Sequence, residues 1–296
     1  MISFFVAILK SSRPKQWVKN FVIFLPMIFS FNESWVLNEF LEIFFTSFNA
    51  FISFVFMSSA IYLFNDSIDV ELDINHPTKK NRPIPSGELS ILSARISAVL
   101  IASVGMGFAF NIGSDFVFAL TSYLLIMIGY VFIFRNIFVL DVASISAGFI
   151  IRVLSGALAI QIPMSNWLYI CTALGALFIA LSKRYSEKLN SSKFNETRDS
   201  LRKYELSKLK LTIICISILL AIIYFSYTIL AVNLPSNHLM IISSFFVLCG
   251  LFRYLYLVLY KGQGEKPEDV ITKDLIILTS VFVWVIYTFS ILFWFR

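Results

Sequence analysis

Apolar runs decide what this chain can become. Nine of them lie near residues 20–32, 39–64, 89–111, 115–134, 139–161, 164–182, 211–232, 238–259 and 274–295. A helix needs about 20 apolar residues to cross the hydrocarbon of a bilayer. Inside lipid the backbone must satisfy its own hydrogen bonds, which a helix does within one segment. The expected fold is therefore all-α: a polytopic membrane protein of nine transmembrane helices. The first run is short for a crossing, so its start is placed inside "RPKQW". Only 14% of the residues are charged and 58% are hydrophobic, against roughly 25% charged in soluble domains. The 296 residues suit one bundle, a single transmembrane helical domain over 1–296.

The placement of charge gives an orientation. Nine alternating spans put the connections 33–38, 112–114, 162–163 and 233–237 on one side, and none contains lysine or arginine. The other side holds residues 1–19, an Asp-rich connection, Arg135, the loop 183–210 with nine basic residues, and the loop 260–273. Basic residues stay cytoplasmic. This predicts an integral protein of the cytoplasmic (inner) membrane with a cytoplasmic N-terminus and an outer C-terminus at Arg296. Residues 1–19, with Lys10, Arg13, Lys15, Lys19 and the interfacial Trp17, read as an amphipathic surface segment. "ISFFVAIL" has neither a preceding basic region nor a small-residue cleavage site, so it does not read as a secretory signal. The net charge of +6 is accounted for by orientation and anionic ligands, with no nucleic acid required. Cys171, Cys215 and Cys249 lie in apolar runs without ligand spacing and read as packing residues. The sequence leaves room for a homo-oligomer and does not specify one.

The chemistry concentrates in Asn65 to Gly87, "NDSIDVELDINHPTKKNRPIPSG". Asp66, Asp69 and Asp73 stand at i, i+3 and i+7, within about 60° of one another on a helix. Converging carboxylates repel unless a cation lies among them. Oxygen donors without cysteine, near one histidine, His76, favour magnesium over zinc. Asn65 is i, i+4 to Asp69 and adds an amide oxygen. Lys79, Lys80 and Arg82 follow, and Pro83, Pro85 and Gly87 end the helix and stiffen the loop. An acidic helix end against a basic, proline-bound loop reads as a magnesium–pyrophosphate site. The competing reading is a solvated connector; the helical register of the acids and the "RPIPSG" ending weigh against it.

Other ionisable residues lie at or within the spans. Asp141 and Arg152 in "LDVASISAGFIIRVLSGA" are eleven residues apart, about three turns, and project from one face. Arginine deep in an apolar run is costly and defaults to a functional role, with a structural ion pair as the bland alternative. "LSKRYSEK" supplies Lys183, Arg184 and Glu187, where Lys183 and Glu187 are i, i+4. Arg198, Arg202, Lys203 and Tyr204 extend this into a cationic funnel. Arg253 lies about two turns before a cytoplasmic helix end. Ser–His–Asp, HExxH, Walker and dinucleotide motifs are all lacking.

"NDSIDVELD" followed by "HPTKKNRPIPSG" resembles the first Asp-rich motif of the UbiA-type intramembrane prenyltransferase superfamily, and "LDVASISAGFIIR" resembles its fifth-helix segment. The resemblance runs over nearly the whole chain. It implies a nine-helix bundle whose polar chamber faces the cytoplasm, with lipid entering from the side. Where the quinone and aromatic prenyltransferases carry a second Asp-rich motif, this chain has "LSKRYSE". "RPKQWVKN", "KRYSE" and "FRYLYLV" resemble the decaprenyl-phosphate phosphoribosyltransferase branch. That likeness implies magnesium-dependent transfer of a 5-phosphoribosyl group from phosphoribosyl pyrophosphate (PRPP) to a polyprenyl phosphate, for lipid-linked sugars of the cell envelope.

On that implication Asp66, Asp69 and Asp73, with Asn65, hold magnesium on the donor pyrophosphate, and Lys79, Lys80 and Arg82 neutralise its departing charge. Lys183, Arg184 and Arg152 bind the ribose 5-phosphate or the acceptor phosphate, and Lys15 and Lys19 the lipid phosphate. Asp141 or Glu187 holds ribose hydroxyls or orients Arg152 and Lys183. Asp66, Asp69, Asp73 and Lys183 are the candidate catalytic residues. Two other functions stay open. An aromatic prenyltransferase needs a second acidic diphosphate site, which the sixth-span loop does not supply. A secondary transporter of an anionic solute favours polar residues at broken midplane helices, whereas here they gather at the cytoplasmic ends.

Overall fold

In the computed structural model, residues 2–190 and 199–296 are described; Arg198 of the predicted funnel lies outside them. The chain forms α1 (Ile2–Ser11), a 3-10 helix (Pro14–Phe24), α2 (Leu25–Phe29), α3 (Phe40–Ile68), α4 (Val70–Ile74), α5 (Ile91–Ile112), α6 (Ser114–Phe132), α7 (Leu140–Ala159), α8 (Asn166–Asn190), α9 (Asp199–Lys203), α10 (Leu206–Leu230), α11 (Ser243–Leu259), α12 (Pro267–Lys273) and α13 (Leu275–Phe295). Among the described residues there is no β-strand, only an isolated bridge between Phe31 and Trp35. Among the described residues, eight helical segments are long and apolar enough to cross a membrane.

The region read as a surface segment followed by a first span divides inside "RPKQW", where the start of that span is expected. The amphipathic piece ends at Ser11, and the continuous helical stretch starts at Pro14. Arg13, caught between them, takes a left-handed backbone with φ 51°, and Pro14 opens the 3-10 turn with its φ already set. The 3-10 stretch runs eleven residues, long for such a helix, and side chains bolt it to the bundle. Trp17 Nε1 donates to Ser59 Oγ at 3.0 Å, Asn20 Nδ2 to Ser58 Oγ at 3.4 Å, and Arg152 Nε to Asn20 Oδ1 at 2.7 Å. Gly156 makes room for it: a Cβ there would lie 2.1 Å from the Ile23 carbonyl oxygen.

α7 is the central helix. Over its most apolar window 56% is buried, against 22–33% for the other spans. Around it, apolar clusters join α3, α5 and α6 on one side and α8, α10 and α11 on the other. Large apolar side chains such as Leu92, Phe110, Phe118, Phe282 and Trp294 face outward, a liability in water and the natural surface in lipid. Helix ends follow local chemistry. Ser90 Oγ caps α5 by accepting from Ser93 N at 3.1 Å, and Asp274 Oδ1 caps α13 by accepting from Ile277 N at 3.1 Å. Gly113, at φ 145°, lets α5 and α6 reverse direction through a single residue.

Candidate active site

Alternation of the spans gathers the connections after α3, α6, α8 and α11 at one end of the bundle. α3 carries Asn65 and Asp66 in its last turns, then breaks at Asp69, where φ is −85° and ψ is 11°, and restarts as α4. That break separates the three aspartates that an uninterrupted helix would hold on one side. Asp66 and Asp73, 1% and 2% exposed, converge on one guanidinium: Arg82 Nη1 donates to Asp66 Oδ1 at 3.2 Å and to Asp73 Oδ2 at 2.6 Å. Arg13 also pairs with Asp66, and Lys79 Nζ lies 3.7 Å from Asp73 Oδ1. Asp69 instead accepts a forked pair from Arg135 at 2.7 and 2.8 Å, and that pairing pushes the Arg135 pKa further up. Asn65 is half-buried beside Asp66, and Lys80 is exposed.

These residues bear directly on a metal. Among the described residues no three His, Cys, Asp or Glu side chains are grouped as a metal centre, so the predicted three-aspartate set is not assembled. The pair Asp66 and Asp73 does cradle a cation, the Arg82 guanidinium, between two buried carboxylates. Their oxygen-only chemistry fits magnesium, which needs one or two protein carboxylates and takes its other ligands from water and phosphate.

The second half of the cluster is built on α8. This helix continues to Asn190, so Lys183, Arg184 and Glu187 lie on helix where a loop was expected. Arg184 is fully enclosed: its Nε lies 3.2 Å from Asp141 Oδ2, Nη1 pairs with Glu187, and Nη2 donates to Tyr130 Oη at 3.3 Å. With Glu187 at Nη1, Tyr130 at Nη2 and the Asp141 carboxylate beside Nε, Arg184 has no face turned to a ligand. Lys183 Nζ lies 3.9 Å from Glu187 Oε1 and keeps part of its surface open. It is within electrostatic reach of Lys19. Lys19 in turn pairs with Gln16 and, at 3.1 Å, with Glu268 on α12, while Lys15 is exposed. Burial works against charge on Glu268, yet Lys19 and Gln16 hold its carboxyl below the usual range.

Asp141 and Arg152 do not meet. Asp141 faces Arg184 and accepts from Tyr204 Oη at 2.6 Å. Arg152, deeper in the bundle, donates to Asn20 Oδ1, the Gly148 carbonyl and Tyr123 Oη, each at 2.7 Å. These neutral acceptors tie α7 to α6 and the 3-10 stretch, a structural role made without the ion pair weighed for Arg152 from the sequence. Sequence reasoning passed over Arg13, Gln16, Arg135 and Glu268. In the sequence Arg13 and Arg135 read only as orientation signals. Their one distinguishing mark is being cations within two residues of a span end, beside a proline for Arg13. Glu268, just inside the proline-started α12, carries no signal in the sequence of its half-buried lysine partner. Two apolar recesses lie beyond this polar cluster: one of about 170 Å³ bounded by Leu25, Phe29, Tyr227 and Trp284, and a groove of about 640 Å³ between α1, α3 and α5 that includes Ser12, Trp17 and Ser59.

Residues 23–271 match the model of the UbiA prenyltransferase family. The chain belongs to that family. It is 30% identical over 287 residues to a decaprenyl-phosphate phosphoribosyltransferase of Corynebacterium glutamicum, covering 94% of this chain and 84% of that one. It is 32% identical to a protein of the same name from Mycolicibacterium smegmatis, with 69% of this chain and 64% of that one, just under two thirds, aligned. In fold it is similar to a UbiA homolog from Archaeoglobus fulgidus bound to GPP and Mg2+, with a TM-score of 0.71, 15% identity, and coverage of 97% and 99% of the two chains.

Proposed function

We propose that this family member transfers the 5-phosphoribosyl group of PRPP to a polyprenyl phosphate and releases pyrophosphate. The observation that carries this reading is the pairing of one buried acidic site, Asp66 with Asp73, with Lys183 and Lys19 where a second acidic site would be needed for a prenyl diphosphate. Two phosphorylated substrates bring more anionic groups than one metal site can compensate, so side-chain cations must hold the rest. The names of the similar corynebacterial and mycobacterial proteins point the same way.

Asp66 and Asp73, with the Asn65 amide beside them, would hold magnesium; bound there, it would neutralise pyrophosphate oxygens as charge builds on the leaving group. Arg82, Arg13 and Lys79, already at those carboxylates, would turn to the pyrophosphate, with Lys80 at the rim. Lys19 and Lys183 would take the acceptor phosphate, with Lys15 at the surface. Asp69, held by Arg135, would fix the α3–α4 junction, and Glu187 would reach ribose hydroxyls. An acceptor phosphate oxygen attacks the anomeric carbon as its bond to pyrophosphate breaks, with inversion through an oxocarbenium-like state. The acceptor is already anionic near neutral pH and needs no general base, so catalysis is positioning and charge stabilisation.

The groove between α1, α3 and α5, whose polar end adjoins Arg13, suits the polyprenyl chain. A ninth crossing fits the Pro14–Phe29 stretch, because eleven 3-10 residues at about 2.0 Å and five α residues at about 1.5 Å span roughly 29 Å. The polar end would face the cytoplasm of the inner membrane, on the basic side of the chain.

The test is one assay: purified protein, magnesium, labelled PRPP and a polyprenyl phosphate, read as label in the organic phase. Transfer that EDTA abolishes, and that Asp66→Asn lowers at least about 100-fold, is the expected result. Transfer from a prenyl diphosphate to an aromatic acceptor instead would overturn it.

A further inference from the structure

We infer that Tyr204 is a positioning residue, whose hydroxyl fixes a buried chain through Asp141, Arg184 and Glu187 that leaves Lys183 available to an anionic ligand. The assignment of Lys183 to the acceptor phosphate rests on the function proposed above; the chain itself is read from contacts. Tyr204 Oη donates to Asp141 Oδ1 at 2.6 Å and accepts from Val139 N at 3.3 Å. Asp141 Oδ2 lies 3.2 Å from Arg184 Nε, Arg184 pairs with Glu187, and Glu187 lies 3.9 Å from Lys183. Asp141 and Arg184 are both 0% exposed, so water cannot replace a lost partner at either. Val139 sits at φ 71°, unusual for a β-branched residue. The phenol thus holds both this strained backbone and the carboxylate two residues on. Burial and the bond to Asp141 raise the phenol pKa well above the usual tyrosine range, so the donor proton stays in place at any physiological pH.

The sign of the effect follows from charge. Arg184 is shared between Asp141 and Glu187. With the phenol hydroxyl gone, Asp141 loses a donor it cannot recover from solvent and draws Arg184 toward itself. Glu187, loosened from Arg184, then turns its charge on Lys183. A lysine neutralised by its own helix binds phosphate less well. The same short segment also reaches the other half of the cluster: Ser200 Oγ donates at 2.8 Å to the carbonyl of Arg135, the residue that holds Asp69.

The experiment is Tyr204→Phe, which keeps the ring against Phe138, 4.7 Å between centroids, and removes only the hydroxyl. A short polyprenyl phosphate is the probe, with its affinity for the detergent-solubilised protein measured directly and its KM measured in the PRPP assay. Affinity and KM should weaken by about 10-fold, the effect of a lost bond to a charged group, with kcat changed far less and the thermal midpoint lowered, because the buried Asp141 carboxylate loses a donor. Adding Glu187→Gln to Tyr204→Phe should restore the directly measured affinity for the lipid phosphate in the absence of PRPP, because the acid that quenches Lys183 is gone. Unchanged affinity in Tyr204→Phe, or a loss that Glu187→Gln does not rescue, overturns the inference. Wild-type protein that binds the lipid phosphate but transfers nothing from PRPP removes the proposed reaction and leaves the Tyr204 comparison decisive. Wild type that binds no lipid phosphate removes both.

Discussion

Asp69 and Asp73 stand four residues apart and serve different arginines, because the helix between them breaks. Spacing in the sequence places such residues on a face only while the helix continues. The identities of the acids were legible, and so was the basic loop after them; the partners Arg13 and Arg135, 53 and 66 residues away, were not. The same holds for Arg253, whose partner the sequence does not reveal. It binds Asp274, with Nη2 2.8 Å from Oδ2. This bond holds the Asp274 carboxyl below its usual pKa, so deprotonation favours the folded state. That contribution is complete above the unfolded value near pH 4 and is lost as pH falls through the lower folded value. Asp274→Asn should therefore flatten the acid limb of a thermal-midpoint-against-pH curve below about pH 4 and lower the midpoint slightly at neutral pH. An unchanged acid limb would remove Asp274 from the account of acid sensitivity.

At the scale of elements, the unusual piece is the stretch from Pro14 to Phe29, part 3-10 and part α. Its apolarity was legible, and its early start followed from the shortness of the run. The 3-10 form was not, because it depends on how closely the stretch lies on α7. Gly156 sets that approach, and any side chain there meets the Ile23 backbone, which cannot swing aside as a side-chain tip can. Gly156→Ala should cost about 1–3 kcal/mol, as overpacking does, read as a lower unfolding temperature in detergent. It should also weaken turnover, since the displaced stretch carries Lys19 and Gln16. Gly107→Ala, where an added Cβ meets nothing within 4 Å, is the control and should change neither.

Across the whole molecule, the basic connections share one end and the charge-poor ones the other. A cysteine in place of Ser86 or Lys261, in a background lacking Cys171, Cys215 and Cys249, should react with an impermeant maleimide only from the cytoplasmic side. A cysteine in place of Asn233 should react only from outside. Reversed labelling would invert the proposed topology and move the cluster to the outer face. The sequence by itself determined that the chain is a membrane bundle, where its helices run and which stretch carries the acids, because these depend on local hydropathy and spacing. Tertiary structure alone decided that Asp66 and Asp73 share Arg82 while Asp69 does not, and that Arg184 is enclosed while Lys183 stays open. It also decided that Arg152 binds the 3-10 stretch instead of Asp141. Those outcomes depend on which helix ends meet across the bundle, and pairing energy between distant charges leaves no mark on the order of residues along the chain.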